Sequence, residues 1–142
     1  MMIVLGVIMV LATMVVMVAT RIENQSREKV VRGTFEMLDG ALQEYYDYWK
    51  TFPNPNPGAP KYPTSSAALY GQLNSTPESR KILEKISPKL IRSNPAAVDM
   101  PEICDPWAVP IDYAYAPGES YPRLRSAGPD RVLGNGDDIT NR

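Results

Sequence analysis

The chain has 142 residues, enough for one domain of ordinary size. It carries no histidine and one cysteine, which excludes Ser-His-Asp and Cys-His nucleophile pairs, imidazole metal sites, an internal disulfide and thiolate zinc clusters. Lys and Arg number 15 against 16 Asp and Glu, and a net charge of −1 is no electrostatic footprint for nucleic acid.

Residues 1–20, MMIVLGVIMVLATMVVMVAT, contain no charge. As a helix they measure roughly 30 Å, the thickness of the bilayer hydrocarbon. Thr13 and Thr20 can return their hydroxyls to carbonyls one turn back, so neither breaks a span. A cleavable signal peptide needs a basic start, a shorter apolar run and a small-x-small site, and Val18-Ala19-Thr20 is a poor one. A buried core helix is rarely apolar all round. The segment is therefore expected to be transmembrane. Arg21, Arg27, Lys29 and Arg32 follow it, which by charge count alone places the C-terminal side in the cytoplasm.

The helix is expected to continue over 21–52. Val31, Phe35, Leu38, Leu42, Tyr45 and Trp49 recur at intervals of four and three, one apolar stripe, with Arg32, Glu36, Asp39, Glu44, Asp47 and Lys50 off it. Gly33 and Gly40 each weaken it by about 1 kcal/mol relative to Ala. Pro53 is the expected terminator. The stripe predicts a core face covered by the rest of the chain, whereas the first half has only lipid or other copies to face.

All fourteen prolines lie at or beyond Pro53. The run TFPNPNPGAPKYP, 51–63, reads as an extended connector, and the whole of 53–74 is assigned to it. A C-terminal domain follows at 75–142. Ser75 and Glu78 have capping-box spacing with Pro77 in the first turn, predicting a helix whose buried face is Ile82, Leu83, Ile86 and Leu90, ended near Pro88. Ile111–Ala116 and Arg123–Arg125 alternate about a turn at Pro117-Gly118, predicting short antiparallel strands. Cys104 has no nearby cation cluster and reads as a small buried side chain. The expected fold is α+β: a long N-terminal helix packed on a small domain with a second helix and a short sheet.

The loop 126–140, SAGPDRVLGNGDDIT, holds three carboxylates within nine residues: Asp130, Asp137 and Asp138. If the loop closes, they repel by about 1 kcal/mol per pair in water. A divalent cation reverses that sign, and calcium, with six to eight oxygens and tolerant geometry, suits such a loop. The spacing is not that of an EF-hand. The residues alone leave two readings: a solvated turn bent at Asn135-Gly136, or an oxygen cage for a hard cation.

The same stretch resembles the C-terminal calcium loop of the major pseudopilin of bacterial type II secretion systems, a type IV pilin-like family. Asp105-Pro106-Trp107 followed by Pro110 and Tyr115, Tyr62-Pro63-Thr64, Lys29-Val30-Val31 and Gly40-Ala41-Leu42 resemble further family segments in the same order. The resemblance covers nearly the whole chain. It implies Asp130 and Asp137 as side-chain ligands with Asp138 beside them, and the carbonyls of Ala127, Val132 and Asn135 completing the shell. Arg131 stands where the family has glycine, which matters if the backbone there needs a positive φ. Met1–Gly6 resembles the run after the family's Gly-Phe-Thr-Leu-x-Glu, so the leader, cleavage site and assembly glutamate are expected upstream of this sequence.

What the resemblance implies is a structural subunit and not an enzyme. It would be a single-pass inner-membrane protein with its domain in the periplasm, against the bare charge count. It would polymerise with copies of itself into a helical filament that helps drive protein export. Minor pseudopilins, the inner-membrane secretion platform and prepilin peptidase are the implied partners, and calcium the implied ion. The alternatives are a type IV pilus or competence-pilus subunit and a membrane-anchored hydrolase using paired carboxylates.

Overall fold

The structure, a computed structural model, describes residues 2–57, 62, 64–94 and 100–142. The centre of the proline-rich connector, 58–61, and Pro63 of the Tyr62-Pro63-Thr64 segment lie outside the described residues. Helix α1 (Met2–Trp49) is 48 residues long and unbroken. Over its first part every side chain from Ile3 to Glu23 is exposed, and an 18-residue window reaches a mean hydropathy of 2.7. By length and composition this helix can cross a membrane. Thr13 and Thr20 donate their hydroxyls to the carbonyls of Met9 and Val16 at 2.8 and 3.2 Å, as the apolar run requires.

The stripe then turns inward. Val31, Phe35, Leu38, Leu42 and Tyr45 are buried, and they form one core with Leu69, Leu73, Leu83, Ile86, Ile103, Trp107, Ile111, Tyr113 and Leu124. Trp49 departs from the expectation: the residue is 53% exposed, and its indole N–H donates to Thr76 Oγ1 at 3.1 Å. The helix ends before Pro53 acts, because Lys50 adopts a left-handed φ of 57°. Pro53 serves instead as an acceptor, its carbonyl taking the buried Tyr113 hydroxyl at 2.7 Å.

Helix α2 (Ser65–Ser75) occupies a stretch read as connector. Thr64 caps it, accepting the Ala67 N–H at 3.1 Å. Its buried face is made of Ser66, Ala67, Ala68, Leu69 and Leu73. Ser66 Oγ donates to the Ile103 carbonyl at 2.7 Å and accepts the Ile103 N–H at 2.8 Å, joining helix to sheet. Helix α3 (Pro77–Leu83) begins at Pro77, but the Ser75–Glu78 capping box does not form. Thr76 is the cap residue, Ser75 belongs to the last turn of α2, and Glu78 pairs with Lys81 at 2.8 Å. Leu83, Ile86 and Leu90 are buried as expected and Ile82 partly so, although α3 stops at Leu83, well before Pro88. Ser79 Oγ donates to the Ala41 carbonyl at 3.0 Å and locks α3 on α1.

Two small antiparallel sheets complete the α+β fold. Strands β1 (Ile91–Ser93) and β2 (Pro101–Ile103) pair in one; β3 (Asp112–Ala114), β4 (Arg123–Ser126) and β5 (Ile139–Thr140) form the other in that order. β3 and β4 are the alternating segments expected about Pro117-Gly118, with Tyr113 opposite Leu124. β1, β2 and β5 are too short to show a period in the sequence.

Candidate functional site

The acidic loop leaves β4 at Ser126 and returns as β5 at Ile139, so the sheet holds its two ends side by side, with Ser126 paired to Ile139. The loop folds tightly on itself. Gly128 has φ +68°, and a Cβ there would lie 2.3 Å from the Asp137 backbone oxygen, so only glycine allows the two arms to close. Arg131 also takes a positive φ, 65°. The non-glycine residue at this position therefore sits in the conformation that favours glycine.

Closure brings Asp130 and Asp137 together. The Asp130 N–H donates to Asp137 Oδ2 at 3.3 Å, the Val132 N–H donates to Asp130 Oδ1 at 2.8 Å, and the Asn135 amide donates to Asp130 Oδ2. Asn135 Oδ1 in turn accepts the Asp137 N–H at 3.3 Å. Asp130, Val132 and Asn135 are exposed, Asp137 is partly buried and Ala127 is fully buried. N–H groups thus offset part of the negative charge gathered here.

Asp138 does something different. Its side chain is 10% exposed. One oxygen accepts the Gly134 N–H at 2.8 Å and faces Arg125 Nη1 at 3.6 Å. The other, Oδ1, is buried with no hydrogen-bond partner. Arg125 reaches the other way to Asp112 Oδ2 at 2.9 Å. Arg125 and Asp112 are the residues the sequence reading missed. The signal was present: a hairpin folded about Gly118 and Glu119 sets them directly opposite each other in register.

A second buried link ties the loop to the Asp105-Pro106-Trp107 turn. Ser126 Oγ donates to Asp105 Oδ2 at 2.7 Å, while Asp105 Oδ1 accepts the Trp107 and Val109 N–H groups at 3.0 and 2.9 Å. Two segments far apart in sequence therefore form one polar network. Cys104 beside it is buried as expected, and burial pushes its thiol up to about 11, so it is not a nucleophile at neutral pH.

Among the described residues no three carboxylate or thiolate side chains converge as a ready-made metal cage. The donors nevertheless fit a hard cation in their chemistry. Asp130, Asp137 and Asn135 offer oxygen in one turn, and the buried Asp138 Oδ1 is an acceptor without a donor. No protein-family model matches the chain, and no curated protein or solved structure matches it.

Proposed function

We propose that the chain is a pseudopilin-like structural subunit of a bacterial type II secretion system, held in the inner membrane with its C-terminal domain in the periplasm. The observation that carries this reading is the continuity of α1. One helix is apolar and wholly exposed in its first part and lines the core of a small α+β domain in its second. Such a helix has two environments available, lipid before assembly and other copies after it. Repetition of a non-closing contact between copies builds a fibre. Minor pseudopilins and the secretion platform are the partners in this reading, and no catalytic role is assigned to the carboxylates.

Calcium belongs to the same proposal. Asp130 and Asp137 would hold it, with carbonyls from Ala127, Val132 and Asn135 and with Asp138 behind them. When bound, the ion supplies positive charge between the two arms of the loop and cross-links them. The chain's own part is to close the loop at Gly128 and to pin its ends between β4 and β5.

The test uses the full chain in detergent micelles. Calcium is expected to raise its melting temperature, a chelator to reverse the gain, and Asp130→Ala to abolish the response. In membranes of secreting cells, Leu11→Cys and Val18→Cys are expected to give a ladder of cross-linked species under oxidation. Melting indifferent to calcium removes the metal; absence of a ladder removes the filament.

A further inference from the structure

The rim of the domain nearest the apolar run carries a cleft separate from the acidic loop. Its volume is about 430 Å³, and Val30 of α1, Leu90 and Pro106 line it with Lys89 and Arg92. Arg27 joins α1 to the lining residue Pro106, its guanidinium donating to the Pro106 carbonyl at 3.5 Å. Arg27 is already paired with Glu23. Lys89 and Arg92 are exposed and make no ion pair among the described residues. The one carboxylate lining the cleft, Asp105, is buried and saturated by Ser126 and two N–H groups. The cleft thus joins an apolar floor to two cations outside any ion pair among the described residues, with Glu102 standing opposite Arg92 in the β1–β2 register.

Its height along α1 matters. Ile22 is the last apolar residue of the exposed run, and Val30 lies eight positions further, roughly 12 Å along the helix axis. The headgroup layer beyond the hydrocarbon is roughly 5 to 8 Å deep. Lys and Arg side chains extend on apolar stems to place their charge away from the backbone, and they are long enough to span the remaining gap. We propose that this cleft docks on the phosphate of an anionic phospholipid headgroup in the bilayer that holds α1. Lys89 and Arg92 take the phosphate, and Val30, Leu90 and Pro106 cover the glycerol end. The domain is thereby seated on the membrane surface and does not swing freely at the end of its helix. The inference rests on the membrane reading of α1.

The full chain is reconstituted at low density into phosphatidylcholine vesicles with and without phosphatidylglycerol. Amine acetylation of Lys89 is then read by mass spectrometry against exposed Lys50 at the far end of α1. Lys89 labelling is expected to fall several-fold in the anionic vesicles, to recover in high salt, and to recover in Arg92→Gln, with Lys50 unchanged throughout. Equal labelling of Lys89 in the two vesicle types overturns the proposal. Protection by free glycerol phosphate in phosphatidylcholine vesicles also overturns it, since the cleft would then be a soluble-phosphate site. Flotation separates the two levels of the argument. A chain that does not float with vesicles refutes the membrane reading and the docking with it, whereas a floating chain with unprotected Lys89 refutes the docking alone.

Discussion

The Tyr121 hydroxyl donates to the backbone carbonyl of Asp39 at 3.1 Å, tying the C-terminal half of the domain to the last quarter of α1. Asn141 reinforces the tie, its amide donating to Asp39 Oδ1 at 2.9 Å. Burial, together with the charge of Asp39, pushes the Tyr121 phenol from 10.0 up to about 12, partly opposed by Arg142 stacked 4.3 Å over its ring. Cys104 moves the same way, from 9.0 to about 11.

Both groups are held neutral in the folded chain, so both bind protons more tightly folded than unfolded. Their contribution to stability is complete below pH 9 and is lost as pH rises through 11 and 12. The melting temperature of the full chain is expected to fall across that alkaline interval. Tyr121→Phe is expected to melt lower at neutral pH, by about 1 kcal/mol for the lost hydrogen bond, and to show a shallower alkaline fall. Equal alkaline slopes in the two proteins would refute the assignment.

The acidic loop is closed by backbone conformation, and Gly128 and Arg131, two of its three positive-φ residues, are expected to respond oppositely. Gly128→Ala drives a Cβ into the Asp137 carbonyl and is expected to cost about 2 to 3 kcal/mol in a denaturant melt. Arg131→Gly relieves a left-handed non-glycine residue at the expense of chain entropy, for a net gain of about 0.5 kcal/mol. Arg131→Val, β-branched at the same φ, is expected to lose stability. A destabilising Arg131→Gly would show that the arginine side chain contributes more than its backbone costs.

Arg125 sits between Asp112 and Asp138, and its removal strands a carboxylate whose side chain is only 10% exposed. Arg125→Ala is expected to cost about 2 kcal/mol, less than a fully buried pair because the arginine side chain is 29% exposed. Asp138→Asn in that background is expected to recover part of the loss by removing the uncompensated charge. A double-mutant cycle on melting free energies measures the coupling, and additive losses would mean that the two residues act independently.

The apolar stripe on α1 was legible because Val31, Phe35, Leu38, Leu42 and Tyr45 repeat over four turns with large side chains, and burial followed the period. The same rule failed at Trp49, where a hydrogen bond to the buried Thr76 holds a residue that is otherwise half-exposed. Helix α2 was hidden because its buried face is largely Ala and Ser, which carry little hydrophobic contrast, and because prolines precede it. The false capping box arose from Ser75, which fits the N-cap pattern but lies in the last turn of a helix the reading had not seen. In the loop, Asp130, Asp137 and Asn135 do converge, as their spacing around flexible residues suggested. The inward turn of Asp138 was not legible, since it depends on Arg125 from a neighbouring strand.

Helix α1 has no proline in any of its 48 residues and runs roughly 72 Å from end to end. It therefore acts as a lever whose short arm is gripped by the domain and whose long arm is free. The free arm, residues 2–30, is roughly 43 Å long, and tilting it by ten degrees sweeps its tip by roughly 8 Å. Small angular changes at one end are converted into displacements of nearly a helix diameter at the other, and no proline in the helix offers a hinge to absorb them.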